Sequence, residues 1–263
     1  MYSGDFSYNV SMQKYSIISS FESLPVEIFW YPAQSRTSHI ILLLKGLYSL
    51  HNPKLSDSWD AELIRACNSS YHFICINTAR RGAETEERSR QEAFIGKTFT
   101  QECGDIQSSF RYLTNAGIFP RPYSLSIVAN SFGGTTLLGI PNLLHAASAV
   151  VMIGSGCGKS PTTTKPLLAT LPDENALLHS LRSFSGVFAF IRGARDTVVP
   201  KESQNKIVQS ALSSRAALLC TVAHATHTLE VASDRNAVPP AQIIASLLRS
   251  AVSLTRQSRA IGD

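Results

Sequence analysis

Ser124-Leu125-Ser126-Ile127-Val128-Ala129-Asn130-Ser131-Phe132-Gly133-Gly134 carries an apolar run straight through a serine into a glycine-rich segment. Ser124 to Ala129 reads as a short buried strand, introduced by Pro120 and Pro122, and Gly133 to Leu138 reads as a tightly packed helix start. A serine hydroxyl is a poor nucleophile until the backbone holds it clear of its surroundings, near a base and beside free N–H donors. A sharp strand-to-helix turn does all three. The residues two before and two after the serine must be small to pass neighbouring backbone, and here they are Ala129 and Gly133.

Outward from this turn, short β-branched or aliphatic runs alternate with amphipathic stretches. The spacing predicts strands near Tyr15 to Ser19, Val26 to Tyr31, His39 to Leu44, His72 to Ile76, Ala149 to Ile153, Val187 to Arg192 and Ala217 to Val222, besides the one before Ser131. Helical periodicity covers Trp59 to Cys67, Asp105 to Asn115, Ser131 to Ile140, Glu174 to Leu181, Glu202 to Leu212 and Ala241 to Leu254. From the third strand onward strand and helix alternate, the pattern of an α/β fold with a mainly parallel sheet and helices on both faces. The first two runs have no helix between them and read as an antiparallel meander at one edge.

A chain of 263 residues builds one large core, so a single domain over residues 1–263 is expected. Its 24 Lys and Arg against 19 Asp and Glu are spread along the chain, which argues against a nucleic-acid partner. The sequence shows no secretory-type leader and no apolar run of membrane-span length, giving an expectation of a cytoplasmic protein. Cys67, Cys75, Cys103, Cys157 and Cys220 lack paired spacing, indicating neither a disulfide framework nor a zinc site, and Cys75 and Cys220 read as small core residues.

A serine nucleophile needs a base, and the base needs a group to orient it. Asp196 stands just past the strand Val187 to Arg192, delivered by the turn Gly193-Ala194-Arg195. The preceding strand ends in Ile153-Gly154-Ser155-Gly156 with no acidic residue, which leaves Asp196 as the candidate acid. Past the last strand, Ala223-His224-Ala225-Thr226-His227 offers two histidines. His227 stands in the loop entering the final helical region and is the preferred base, with His224, nearer the strand end, as the competitor. Phe132 N–H, in the first helical turn, is one candidate oxyanion donor, and Leu47 N–H, after the bend at Gly46, is the other. Gly46, Tyr48, Ser49 and Val198 are candidate pocket residues. The other histidines, His39, His51, His72, His145 and His179, fall where solvated or structural roles are expected.

Together these residues resemble the α/β-hydrolase superfamily, from about Val26 to about Leu254. The likeness includes Asn77-Thr78-Ala79-Arg80-Arg81-Gly82, where relatives often carry an Asp-x-Arg-Gly-like turn. Ala129 departs from the commoner glycine of the serine motif, and Lys45 stands where many relatives have histidine. The resemblance implies an eight-stranded sheet with Ser131, Asp196 and His227 meeting at its carboxyl edge, no metal or organic cofactor, and cleavage of a small-molecule carboxylic ester or thioester through an acyl-enzyme. A thioesterase or acyltransferase of a biosynthetic pathway and a ligand-binding protein on the same fold are the alternatives.

Gly154 to Ser160 looks like a phosphate-binding loop, but the first required glycine falls at Ile153, and Pro161, Thr162-Thr163-Thr164 and Pro166 discourage the helix whose N-terminus would hold the phosphates. The segment at about 155–185 is where this superfamily places its lid, too short here for a multi-helix cap. Its leucines, Leu167, Leu168, Leu171, Leu177, Leu178 and Leu181, fit either an apolar flap over an acyl pocket or the buried face of a surface helix. Glu84 to Arg90 reads as a solvated charged segment, while Arg80 and Arg81 offer a way to steer an anionic substrate.

Overall fold

The computed structural model describes residues 11–54, 58–81, 92–158, 166–231 and 238–259. Eight strands, β1 (Gln13–Ile18), β2 (Pro25–Tyr31), β3 (His39–Leu44), β4 (His72–Asn77), β5 (Ser124–Asn130), β6 (Ala149–Ile153), β7 (Val187–Gly193) and β8 (Ala216–Val222), form one sheet. Their spatial order is β1-β2-β4-β3-β5-β6-β7-β8. β1 pairs with β2 and β2 with β4 antiparallel, and every other pairing is parallel. The edge meander and the parallel body therefore stand as the helix-free and helix-separated runs predict.

Burial follows sheet position. All six residues of β3 are buried, as a strand covered on both faces requires, whereas β8, at the edge, alternates between half-buried and exposed. Cys75 on β4 is accordingly a core residue, but Cys220 on β8 is half-buried, because an edge strand is only partly covered. Helices α1 (Trp59–Cys67) and α8 (Pro240–Arg259) pack together on one face, over a core that includes Leu43, Phe73 and Leu248. α2 (Phe99–Asn115), α3 (Phe132–Leu138), α4 (Pro141–Ala146), α5 (Pro166–Ala169), α6 (Glu174–Arg182) and α7 (Lys201–Ser210) lie over the other, where Ile127, Met152 and Phe190 are buried.

Helix ends differ from the periodicity for local reasons. α2 begins at Phe99, six residues before the predicted Asp105, because Thr98 and Gln101 form a capping box: Gln101 N–H donates to Thr98 Oγ1 (3.2 Å) and Thr98 N–H to Gln101 Oε1 (2.9 Å). The helix predicted over Ser131 to Ile140 is α3, from Phe132 to Leu138, and a second helix that the periodicity did not mark, α4, opens just beyond it with Pro141 in its first position. The leucines at 167–181 are settled as packing: Leu167, Leu171, Leu177, Leu178 and Leu181 are buried in the core beneath α5 and α6, with Leu168 partly buried against it. Lys159, Ser160 and the segment Glu84 to Arg90 lie outside the described residues.

Candidate active site

β5 delivers Ser131 at the carboxyl edge in a conformation that few side chains adopt, with φ 52° and ψ −120°. Ser131 N–H donates to the Ile153 carbonyl (2.7 Å), which ties the turn to β6. The glycines after it are sterically required. A Cβ on Gly133 would lie 2.5 Å from the Leu44 carbonyl oxygen and 2.7 Å from that of Lys45, and one on Gly134 would collide with the Ser155 side chain. α3 therefore packs flush against the end of β3.

Ser131 Oγ lies 2.9 Å from His227 Nε2, and His227 Nδ1 lies 2.9 Å from Asp196 Oδ2. Three residues from three separate loops form one hydrogen-bonded chain. His224 is exposed with φ 59°, in the turn that leads the chain to His227. The two loops are laced together, Arg195 N–H donating to the Ala225 carbonyl and Ala194 N–H to that of Val222, both at 2.9 Å. Gly154, with φ 54°, lies under the imidazole, where a Cβ would sit 3.2 Å from His227 Cε1 and Nδ1.

Asp196 is satisfied on both oxygens. Oδ1 accepts from Val198 N–H (2.9 Å) and Val199 N–H (3.1 Å), while Oδ2 accepts from Gln204 Nε2 (2.8 Å) besides His227. Burial by itself would raise the carboxyl pKa; the hydrogen bonds from His227, Val199 and Val198 outweigh it and hold Asp196 below its ordinary value. Val198 thus has its amide against Asp196, and its side chain is exposed. The sequence alone marks neither Gln204 nor the place of Gly154 under the imidazole. Gln204 falls on the buried side of a polar helix starting just after Pro200, and that amphipathic spacing is the one signal that points to it.

The turn after β3 lies against the serine, since a Cβ on Gly46 would be 3.3 Å from Asn130 Oδ1 and 3.4 Å from Ser131 Cβ. Ser49 N–H donates to the Gly46 carbonyl (3.0 Å), closing the turn around Leu47 and Tyr48. Leu47 N–H has no acceptor among the described residues, and Phe132 N–H, at the first helical position, has none within its helix. Lys45 braces the turn from below: its Nζ donates to the Leu50 carbonyl (2.9 Å) and pairs with buried Asp60 (2.9 Å). Asp60 Oδ2 also meets His51 Nδ1 (2.7 Å), and His51 Nε2 meets Tyr31 Oη (2.6 Å). A neutral imidazole satisfies both contacts, donating to Asp60 and accepting from Tyr31.

His51 is therefore buried in a hydrogen-bonded network. His39 likewise bonds Ser126 and Ser124, and His72 bonds Ala33 N–H. His51, Asp60 and Cys75 are close enough together to surround a small ion, but the Lys45 ammonium already neutralises Asp60, which does not suit a cation.

No protein-family model matches the chain, and no curated protein matches it in sequence. Solved structures do match. The esterase domain of a Rhodothermus marinus protein superposes with a TM-score of 0.63 at 15% identity, over 94% of this chain and 98% of that one. A cold-adapted esterase from an Arctic intertidal metagenomic library gives 0.65 at 13% identity, over 93% and 95%. The chain has the α/β-hydrolase fold. The thioesterase domain from the curacin biosynthetic pathway also matches, with a TM-score of 0.57 at 10% identity, over 90% and 99%. In this α/β-hydrolase sheet Ser131, Asp196 and His227 follow β5, β7 and β8 respectively, all at the carboxyl edge. Among the described residues no helix is long and apolar enough to cross a membrane.

Proposed function

We propose that this chain is a serine hydrolase of carboxylic esters or thioesters, working through an acyl-enzyme on Ser131. The observation that carries the reading is the unbroken chain Ser131 Oγ, His227, Asp196, with both links at 2.9 Å. His227 Nε2 takes the Ser131 proton as Oγ attacks the substrate carbonyl carbon, and Asp196 holds the imidazole in the required tautomer and stabilises its protonated form. The amides of Phe132 and Leu47 hold the resulting oxyanion, a donor pair of which each member is worth about 10²–10³ in rate. His227 returns the proton to the departing alcohol or thiol. Water, deprotonated in turn by His227, then attacks the acyl-enzyme and releases the acid. No step draws on a metal or organic cofactor.

The esterase and thioesterase matches have this fold, and the chemistry is consistent with either leaving group. A fluorophosphonate probe on purified protein, read by peptide mass spectrometry beside para-nitrophenyl ester turnover, tests the proposal. Labelling of Ser131, with label and turnover both lost in a folded Ser131→Ala variant, is expected. Turnover that survives Ser131→Ala ends it.

A further inference from the structure

Thr78 and Ser131 leave the sheet at the same height. Leu43 on β3 is level with Cys75 on β4 and with Val128 on β5, and each of the two residues lies three positions further on. Two strand spacings, about 10 Å, separate them. Two residues past Thr78, the partly buried Arg80 lays its guanidinium 5.0 Å from the Phe94 ring centroid. Phe94 in turn lies 6.2 Å, centroid to centroid, from Tyr48 of the turn beside Ser131. Arg80 thus stands at the rim of the same carboxyl edge, held by an aromatic face.

Its fork is unused. Among the described residues Arg80 has a single long hydrogen bond, Nε to the Thr78 carbonyl at 3.5 Å, and no ion pair. The neighbouring Arg81 differs, both its Nε (2.7 Å) and its Nη2 being spent on the Glu22 carboxylate. The two carboxylates that act on Arg80 through space are engaged elsewhere. Glu102 holds Lys97 Nζ (2.5 Å) and accepts from Thr78 Oγ1 (2.9 Å), and Glu27 holds Lys14 Nζ (2.5 Å). Burial lowers the Arg80 pKa from its ordinary value against the pull of these acids, as expected for a charge drawn partly out of water. A guanidinium in that state is preorganised for bidentate capture of a carboxylate or phosphate.

We infer that Arg80 is the specificity determinant of this site, selecting acyl substrates that carry an anionic group, carboxylate or phosphate, at the end of the chain remote from the carbonyl that Ser131 attacks. The inference rests on the hydrolase reading above. The test compares kcat/KM for para-nitrophenyl esters of octanoic acid, of suberic acid with its far carboxyl free, and of the matching ω-phosphono acid. One or both anionic esters should exceed the octanoyl ester by about tenfold or more, the strength of one charge-assisted contact, and which of them does so identifies the anion. Arg80→Gln should bring that ratio to about one, with Arg80→Lys, which keeps the charge but not the fork, falling between. Equal rates in the wild type, or a preference surviving in Arg80→Gln, would overturn the inference. A calorimetric titration of suberate and of octanoate into Ser131→Ala protein separates the two readings. Preferential binding of suberate, or of the ω-phosphono acid titrated in the same way, that Arg80→Gln abolishes supports the Arg80 role even if no ester is turned over, and equal binding of all three acids refutes it.

Discussion

Asp196 accepts hydrogen bonds from a histidine, a glutamine and two backbone amides, so the acid is positioned from three directions. The Gln204 amide is the one of these that a substitution can remove without touching the serine, the histidine or the carboxylate. Gln204→Leu should lower kcat/KM about fivefold, the worth of one ordinary hydrogen bond, mostly in kcat, as steady-state kinetics would show. Ser131, Asp196 and the pair His224 and His227 were legible because each lies within a few residues of the end of an apolar run, at the strand end where a sheet of this kind gathers chemistry. Gln204 was not. Its partner lies eight residues away on another element, and a glutamine on a polar helix carries no mark of which carboxylate it will reach. Arg80 was visible as a charge, but that Glu22 takes the Arg81 fork while no acid among the described residues takes that of Arg80 depends on where Glu22 falls.

At the scale of elements, the junction of β3, β5 and α3 leaves no room for a side chain. Gly133→Ala should destabilise the protein by about 1–3 kcal/mol, because the added methyl meets backbone carbonyls that cannot rotate away. Chemical denaturation measures this, and turnover should fall further than stability, since any relief of the clash shifts Ser131. Gly104, inside α2, is the opposite case. A Cβ there has nothing within 4 Å, so Gly104→Ala should raise stability by about 0.5–1 kcal/mol through helix propensity alone. The strands were readable nearly to the residue because buried parallel strands are near-continuous aliphatic runs. Helix starts were less so. α2 opens with Phe99-Thr100-Gln101-Glu102, a turn whose periodicity is weak and whose start is decided by the Thr98 and Gln101 bonds.

Across the whole molecule, buried charges tie the active-site edge to the core. Lys45 and Asp60 are almost fully buried, so Lys45→Met leaves the Asp60 carboxylate uncompensated and should cost about 3–5 kcal/mol, seen as a fall in Tm. Lys45→Met with Asp60→Asn should recover part of that loss, since both charges are then gone. Burial would raise the Asp60 pKa, but the His51 hydrogen bond and the Lys45 ammonium reverse this and hold it well below the usual carboxylate range. The folded-state value is therefore depressed. Its stabilisation is complete above the unfolded value, about 3.9, and disappears as pH falls toward the folded one. Stability measured below about pH 4 should consequently drop more steeply in the wild type than in Asp60→Asn, which removes that titration. By itself the sequence determined the alternation of strand and helix, the parallel sheet with its antiparallel edge, and the small residues around Ser131, because these follow from local periodicity and sterics. Only the tertiary structure decided which of two histidines reaches Ser131, that Lys45 braces the turn after β3, and that Arg80 has no counter-ion among the described residues. Each of these depends on the distance between residues far apart in the chain, which no local pattern encodes.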